Sequence, residues 1–100
     1  MGSRIVATGR AVPEKVLSND ELARIMDTSD EWIRTRTGIT RRHAMRGGES
    51  LADLASAAAR TALDRAGLKP SSIDAIVAGT VSSEYSFPSF ACQVQQRLGV

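Results

Sequence analysis

The densest chemistry in this sequence lies between Asp27 and Ile39, which reads Asp-Thr-Ser-Asp-Glu-Trp-Ile-Arg-Thr-Arg-Thr-Gly-Ile. It holds the indole of Trp32, the guanidinium groups of Arg34 and Arg36, and the hydroxyls of Thr28, Thr35 and Thr37. An indole face stacks on a purine, and a guanidinium donates in pairs to a phosphate. Such a set suits a ligand containing a nucleotide. The same residues also read as plain structure. A tryptophan on a short helix is usually a core anchor with its arginines in water, and on side-chain physics alone that reading is the stronger.

The remaining candidates are few. His43 is the only histidine and lies on a basic stretch, with no neighbouring serine in a nucleophile motif. It reads as a surface residue. Cys92 is the only cysteine. It falls several residues inside a predicted helix, away from the helix start or cationic neighbour that favours a thiolate, and reads as a small packing residue. One His, one Cys and scattered acids do not make a metal site. Gly47-Gly48 is not followed by Lys-Ser or Lys-Thr, so it is no phosphate loop. No catalytic residue, metal or cofactor is expected here.

Charge narrows the partners. The net charge of +2 does not point to nucleic acid. Its distribution says more: between Glu31 and Glu49 there is no acid, and Arg34, Arg36, Arg41, Arg42, His43 and Arg46 all fall there. Such a cluster favours phosphates or an acidic partner, although composition alone equally fits a solvated loop. No apolar run approaches the ~20 residues of a membrane span, and Met1-Gly2-Ser3-Arg4 lacks the apolar core of a secretory signal. The expectation is a cytoplasmic protein.

Several elements must position these groups. Arg4–Thr8 is a short β-prone run closed by Gly9, expected to be a buried first strand. Ser18 and Glu21 have capping-box spacing ahead of a short helix. Thr28 and Glu31 repeat it, so Thr28 is the expected cap of a second helix that ends at Gly38. Ile39–Arg46 could be extended. Ser50 precedes the longest helix, with Leu51, Leu54, Ala55, Ala58, Ala62, Leu63 and Ala66 on one stripe, stopped by Gly67 and Pro70. Asp74–Val81 contains an unbroken apolar run, as in a strand covered on both faces. Pro88 suits the first position of a last helix, whose apolar face is Phe90, Ala91, Val94 and Leu98, with Gly99 as its stop. The order is that of a βαβ crossover with a helical insertion, an α/β arrangement with parallel strands. Two strands do not make a stable sheet, and aromatics are only 4% of the chain. The architecture reads as incomplete, one that packs against more protein.

The segment Asp27–Ile39 also resembles the signature of ketoacyl-acyl-carrier-protein synthase III. Three other runs agree with that family: Ile5–Pro13, the long helix Leu51–Gly67, and Phe87-Pro88-Ser89-Phe90-Ala91-Cys92-Gln93. The resemblance covers nearly all of the chain from Ile5 onward. It implies that residues 1–100 are the N-terminal part of a thiolase-like condensing enzyme that acts as a homodimer. Such enzymes join an acyl-CoA starter to malonyl-acyl-carrier-protein with loss of CO2. It further implies that Trp32 stacks on the adenine of coenzyme A, with Thr28, Arg36 and Thr37 at the nucleotide end. Phe87 would lie near the dimer interface and shape the partner's acyl pocket. The family's nucleophilic cysteine lies one strand beyond the Phe-Pro-Ser run, and its His and Asn partners lie further on. Cys92 belongs to the earlier run and is not that nucleophile, so the 100 residues alone are expected to be inactive. The alternative is a non-catalytic module that binds coenzyme A or dimerises.

Overall fold

Ser18 begins the first helix as its spacing to Glu21 predicts. Its Oγ accepts from the Glu21 amide at 3.2 Å, and its own amide donates to Glu21 Oε2 at 2.7 Å. The computed structural model describes residues 1–100 as two units, Val12–Gly48 and Met1–Ala11 with Glu49–Val100.

The Val12–Gly48 unit runs β1 (Val16–Ser18), α1 (Asn19–Ala23), α2 (Asp30–Thr37) and β2 (Arg41–His43). The two strands pair antiparallel, with Leu17 opposite Arg42. Ala44 donating to the Lys15 carbonyl at 2.9 Å and Asn19 donating to that of Thr40 at 3.1 Å extend the pairing at both ends. The sequence suggested extension for β2 but gave no sign of β1, which is too short for any alternation to show. Gly38 ends α2 at φ 72°, a left-handed conformation that favours glycine.

One expected cap moves by a residue. Ser29, not Thr28, is the N-cap of α2: it is extended at φ −145°, and its Oγ accepts from the Trp32 amide at 3.1 Å. Serine is the somewhat better cap by type, and Asp30, next to it in the first turn of α2, accepts from the side chain of Asn19.

The other unit is built on α3 (Leu51–Ala66) and α4 (Phe90–Leu98), with a 3-10 turn at Pro70–Ser72 between them. Ala52, Ser56 and Leu63 of α3 and Val94 and Leu98 of α4 are buried. Arg97 on α4 donates to Asp53 on α3, and Arg60 donates to the Arg97 carbonyl. Gly67 and Gly99 close the two helices in left-handed conformations. The alanines of α3 admit the N-terminal segment very closely: a Cβ placed on Gly9 would stand 2.1 Å from the Ala58 carbonyl oxygen.

Both predicted parallel strands are absent as strands. Residues 4–8 and 74–81 carry no ladder, so the only sheet is the antiparallel pair. A strand exists only when a neighbour takes up its hydrogen bonds, and these two segments do not pair. Their apolar side chains are correspondingly uncovered, Ile5 at 86% and Val77 at 98% exposure. Pro88 likewise precedes α4 and does not open it; Ser89 is the cap, its Oγ accepting from the Cys92 amide. No helix is long and apolar enough to cross a membrane.

Candidate functional site

Helix α2 presents its chemistry at residues four apart. Trp32 and Arg36 share one face, and the Arg36 guanidinium carbon sits 5.0 Å from the centroid of the indole. That is a cation–π contact at a site where the ring remains 54% exposed. Trp32 is therefore not the core anchor of this unit. The buried apolar residue of α2 is its neighbour Ile33.

Two open hollows meet at the indole. One, of about 460 Å³, is lined by Met26, Asp27, Thr28, Ser29 and Trp32. The other, of about 300 Å³, is lined by Ser29, Glu31, Trp32, Thr35 and Arg36. Arg36 lines only the second, and the first is bounded by the indole with Thr28 among its lining residues. The structure thus brings Thr28, Trp32 and Arg36 around one ring. It does not bring Thr37 to them. The Thr37 hydroxyl donates to the Ile33 carbonyl at 2.7 Å and accepts from the Ile39 amide at 3.0 Å, which commits it to the end of its own helix. Thr35 is similarly turned to the Glu31 carbonyl at 2.7 Å.

Phe87 belongs to the other unit, in the loop before α4, and is 90% exposed. Cys92 also differs from expectation, being exposed and not packed in the core. A hollow of about 200 Å³ beside it is lined by Asp74, Gln95 and apolar residues, and the residue lies in the first turn of α4, nearer the helix start than expected. No group of His, Cys, Asp and Glu residues is placed to hold a metal.

Behind α2 lies a polar cluster that the sequence did not reveal. Asn19 is 1% exposed, the most buried polar residue of this unit. Its Nδ2 donates to Asp30 Oδ1 at 2.9 Å and to the Ile39 carbonyl at 2.8 Å, and its Oδ1 accepts from Arg42 Nη2 at 2.6 Å. Arg42 also donates to the Leu17 carbonyl at 3.2 Å. The Asn19 amide bond to Asp30, aided by the Arg34 guanidinium, holds the Asp30 carboxyl below its usual range. Buried amides with every hydrogen bond satisfied fix geometry, but their partners here lie 11 to 23 residues away. Only the position of Asn19 inside a capping box was legible.

No protein-family profile matches the chain. Its backbone matches that of 3-oxoacyl-acyl-carrier-protein synthase III from Aquifex aeolicus at TM-score 0.92 and 44% identity, over 98% of this chain and 32% of that one. A priming beta-ketosynthase of a polyketide pathway matches at TM-score 0.90 and 33% identity, over 96% of this chain and 29% of that one. The architecture is therefore part of the thiolase-like fold of the condensing enzymes. In sequence, the beta-ketoacyl-acyl-carrier-protein synthase III of Xylella fastidiosa is 55% identical over 97 residues, 97% of this chain. Across that length the particular enzyme this chain is similar to is synthase III, and it spans about 30% of that relative's length.

Proposed function

We propose that these residues supply the coenzyme A contact of an initiating condensing enzyme of fatty-acid or related polyketide synthesis. The observation that carries the proposal is the Trp32–Arg36 stack between two open hollows, within a chain similar throughout to synthase III. The adenine would lie on the indole in the hollow beside Thr28. Arg36, and the other guanidinium groups of the basic stretch, would meet phosphates. Thr37 takes a supporting part, ending the helix that carries Trp32. Phe87, uncovered ahead of α4, suits a contact with a second subunit of a homodimer that shapes its acyl pocket.

In the reaction proposed for the complete polypeptide, the acyl group leaves the CoA thiol and forms a thioester with a cysteine outside these 100 residues. Malonyl-acyl-carrier-protein then loses CO2, and the resulting carbanion attacks that thioester. The 3-ketoacyl-acyl-carrier-protein departs and the cysteine thiolate is regenerated. With acyl-CoA and malonyl-acyl-carrier-protein as its proposed substrates, the protein would act in the cytoplasm. The test is CO2 release from malonyl-acyl-carrier-protein by the complete polypeptide carrying these residues. Release that requires acyl-CoA supports the proposal. Malonyl-acyl-carrier-protein left intact, with CoA still bound, would favour a binding module without turnover.

A further inference from the structure

We infer that Asn19 is a positioning residue for the Trp32 site, acting through Asp30. The inference rests on the reading of α2 as the coenzyme A contact, but its structural half stands separately. Trp32 is two residues beyond Asp30, in the first turns of a helix of 8 residues. Helix ends of this length fray unless something outside holds them. The Ser29 cap is local and exposed. The tie that reaches beyond the helix at this end is the bond from Asn19 to Asp30.

The chemistry of the tie requires an amide. Asn19 must donate twice, to a carboxylate and a carbonyl, and accept once, from a guanidinium. A carboxylate at that position would face the Asp30 carboxylate and the Ile39 carbonyl with no proton to offer, and an apolar side chain would leave Asp30 Oδ1, the Ile39 carbonyl and Arg42 Nη2 without this partner. One buried side chain thus joins the start of α2 (Asp30), the segment just after it (Ile39) and β2 (Arg42). The two ends of the helix bearing Trp32 and Arg36 are both referred to the β1–β2 pair. The expected consequence is an indole held still for stacking, with Arg36 over it.

The test uses the 100-residue chain, in which Trp32 is the only tryptophan. Three variants, Asn19→Ala, Asp30→Ala and Asp30→Asn, are compared with the parent by far-UV circular dichroism, time-resolved anisotropy of Trp32, and coenzyme A affinity. Asp30→Ala removes the bond. Asp30→Asn removes the charge but keeps an oxygen to accept from Asn19. The expected result is that Asp30→Ala adds a fast, sub-nanosecond local motion to Trp32 and weakens coenzyme A about tenfold, about 1.4 kcal/mol. Asn19→Ala does at least as much, while Asp30→Asn keeps parental anisotropy. Fast motion in Asp30→Asn with helical signal retained would overturn the inference, because charge at the helix start would then be the cause. Unchanged anisotropy in Asp30→Ala would overturn it as well. If the parent binds no coenzyme A but Asp30→Ala still frees Trp32, the positioning role stands and the coenzyme A reading fails.

Discussion

Replacing Gly9 with alanine tests the packing of the unit that contains α3. The added Cβ would stand 2.1 Å from the Ala58 carbonyl oxygen and 2.7 Å from the Ala62 amide nitrogen. Ordinary carbon contacts begin near ~3.5 Å, so the segment would have to retreat by more than an ångström. Neither contact atom belongs to a side chain that could swing away, since both are backbone atoms of a continuous helix. Overpacking of this kind costs about 1–3 kcal/mol, and the rigid neighbours place it toward the upper end. Retreat also stretches the bond from Arg65 Nη1 to the Thr8 carbonyl, now 3.0 Å, although that bond is exposed and adds little. A loss of about 2–3 kcal/mol corresponds to a fall in Tm of roughly 10–20 °C for a domain of this size. The assay is urea and thermal unfolding followed at 222 nm, where α3 dominates the helical signal of its unit. Gly47→Ala is the control, because a Cβ there meets nothing within 4 Å. Equal unfolding midpoints for Gly9→Ala and Gly47→Ala would refute the close approach of residue 9 to α3.

Other outcomes bear on the site itself. Ser29→Ala should cost about 1 kcal/mol through loss of the α2 cap and Thr28→Ala only a few tenths, measured by urea unfolding of Trp32 fluorescence; the reverse order would restore Thr28 as cap. The Asp30 carboxyl is held low by Asn19 and Arg34, with Arg42 on the far side of the same amide. Its ionised form is thus favoured by folding, a contribution present above the unfolded value near ~3.9 and lost as pH falls through the lower folded value. An acid titration of Trp32 fluorescence should show a step below about pH 4 that Asp30→Asn abolishes. Calorimetric titration should find coenzyme A bound about 1–3 kcal/mol more weakly by Trp32→Ala.

Local signals in the sequence proved sound where one residue and its near neighbours decide the outcome. The Ser18–Glu21 box and the glycine stops at Gly38, Gly67 and Gly99 form as their spacing predicts, whereas of the stripe expected on α3 only Leu63 is buried, with Ala52 and Ser56 taking the other buried places. The readings that failed needed a distant partner. Arg4–Thr8 and Asp74–Val81 have strand composition, yet composition cannot supply the neighbour that makes a ladder. Trp32 looked like a core anchor by residue type, but Ile33 takes that place and leaves the indole open to Arg36. Thr37 shares the motif of Trp32, and its hydroxyl is taken by the end of its own helix, a contact with Ile33 and Ile39 that spacing alone does not show. Asn19 was invisible for the opposite reason: its neighbours in sequence explain it as a helix start, and its work is done with Asp30, Ile39 and Arg42.

The central claim is that the exposed indole of α2 is a nucleotide platform. The most direct measurement is a fluorescence titration of the 100-residue chain with coenzyme A and, separately, with adenosine 3′,5′-bisphosphate and pantetheine. Saturable quenching of Trp32 by the first two, mutually competitive and weakened by salt, with no response to pantetheine, is the predicted result. A fluorescence signal unmoved by coenzyme A, in a chain whose far-UV spectrum shows α3 formed, would contradict it.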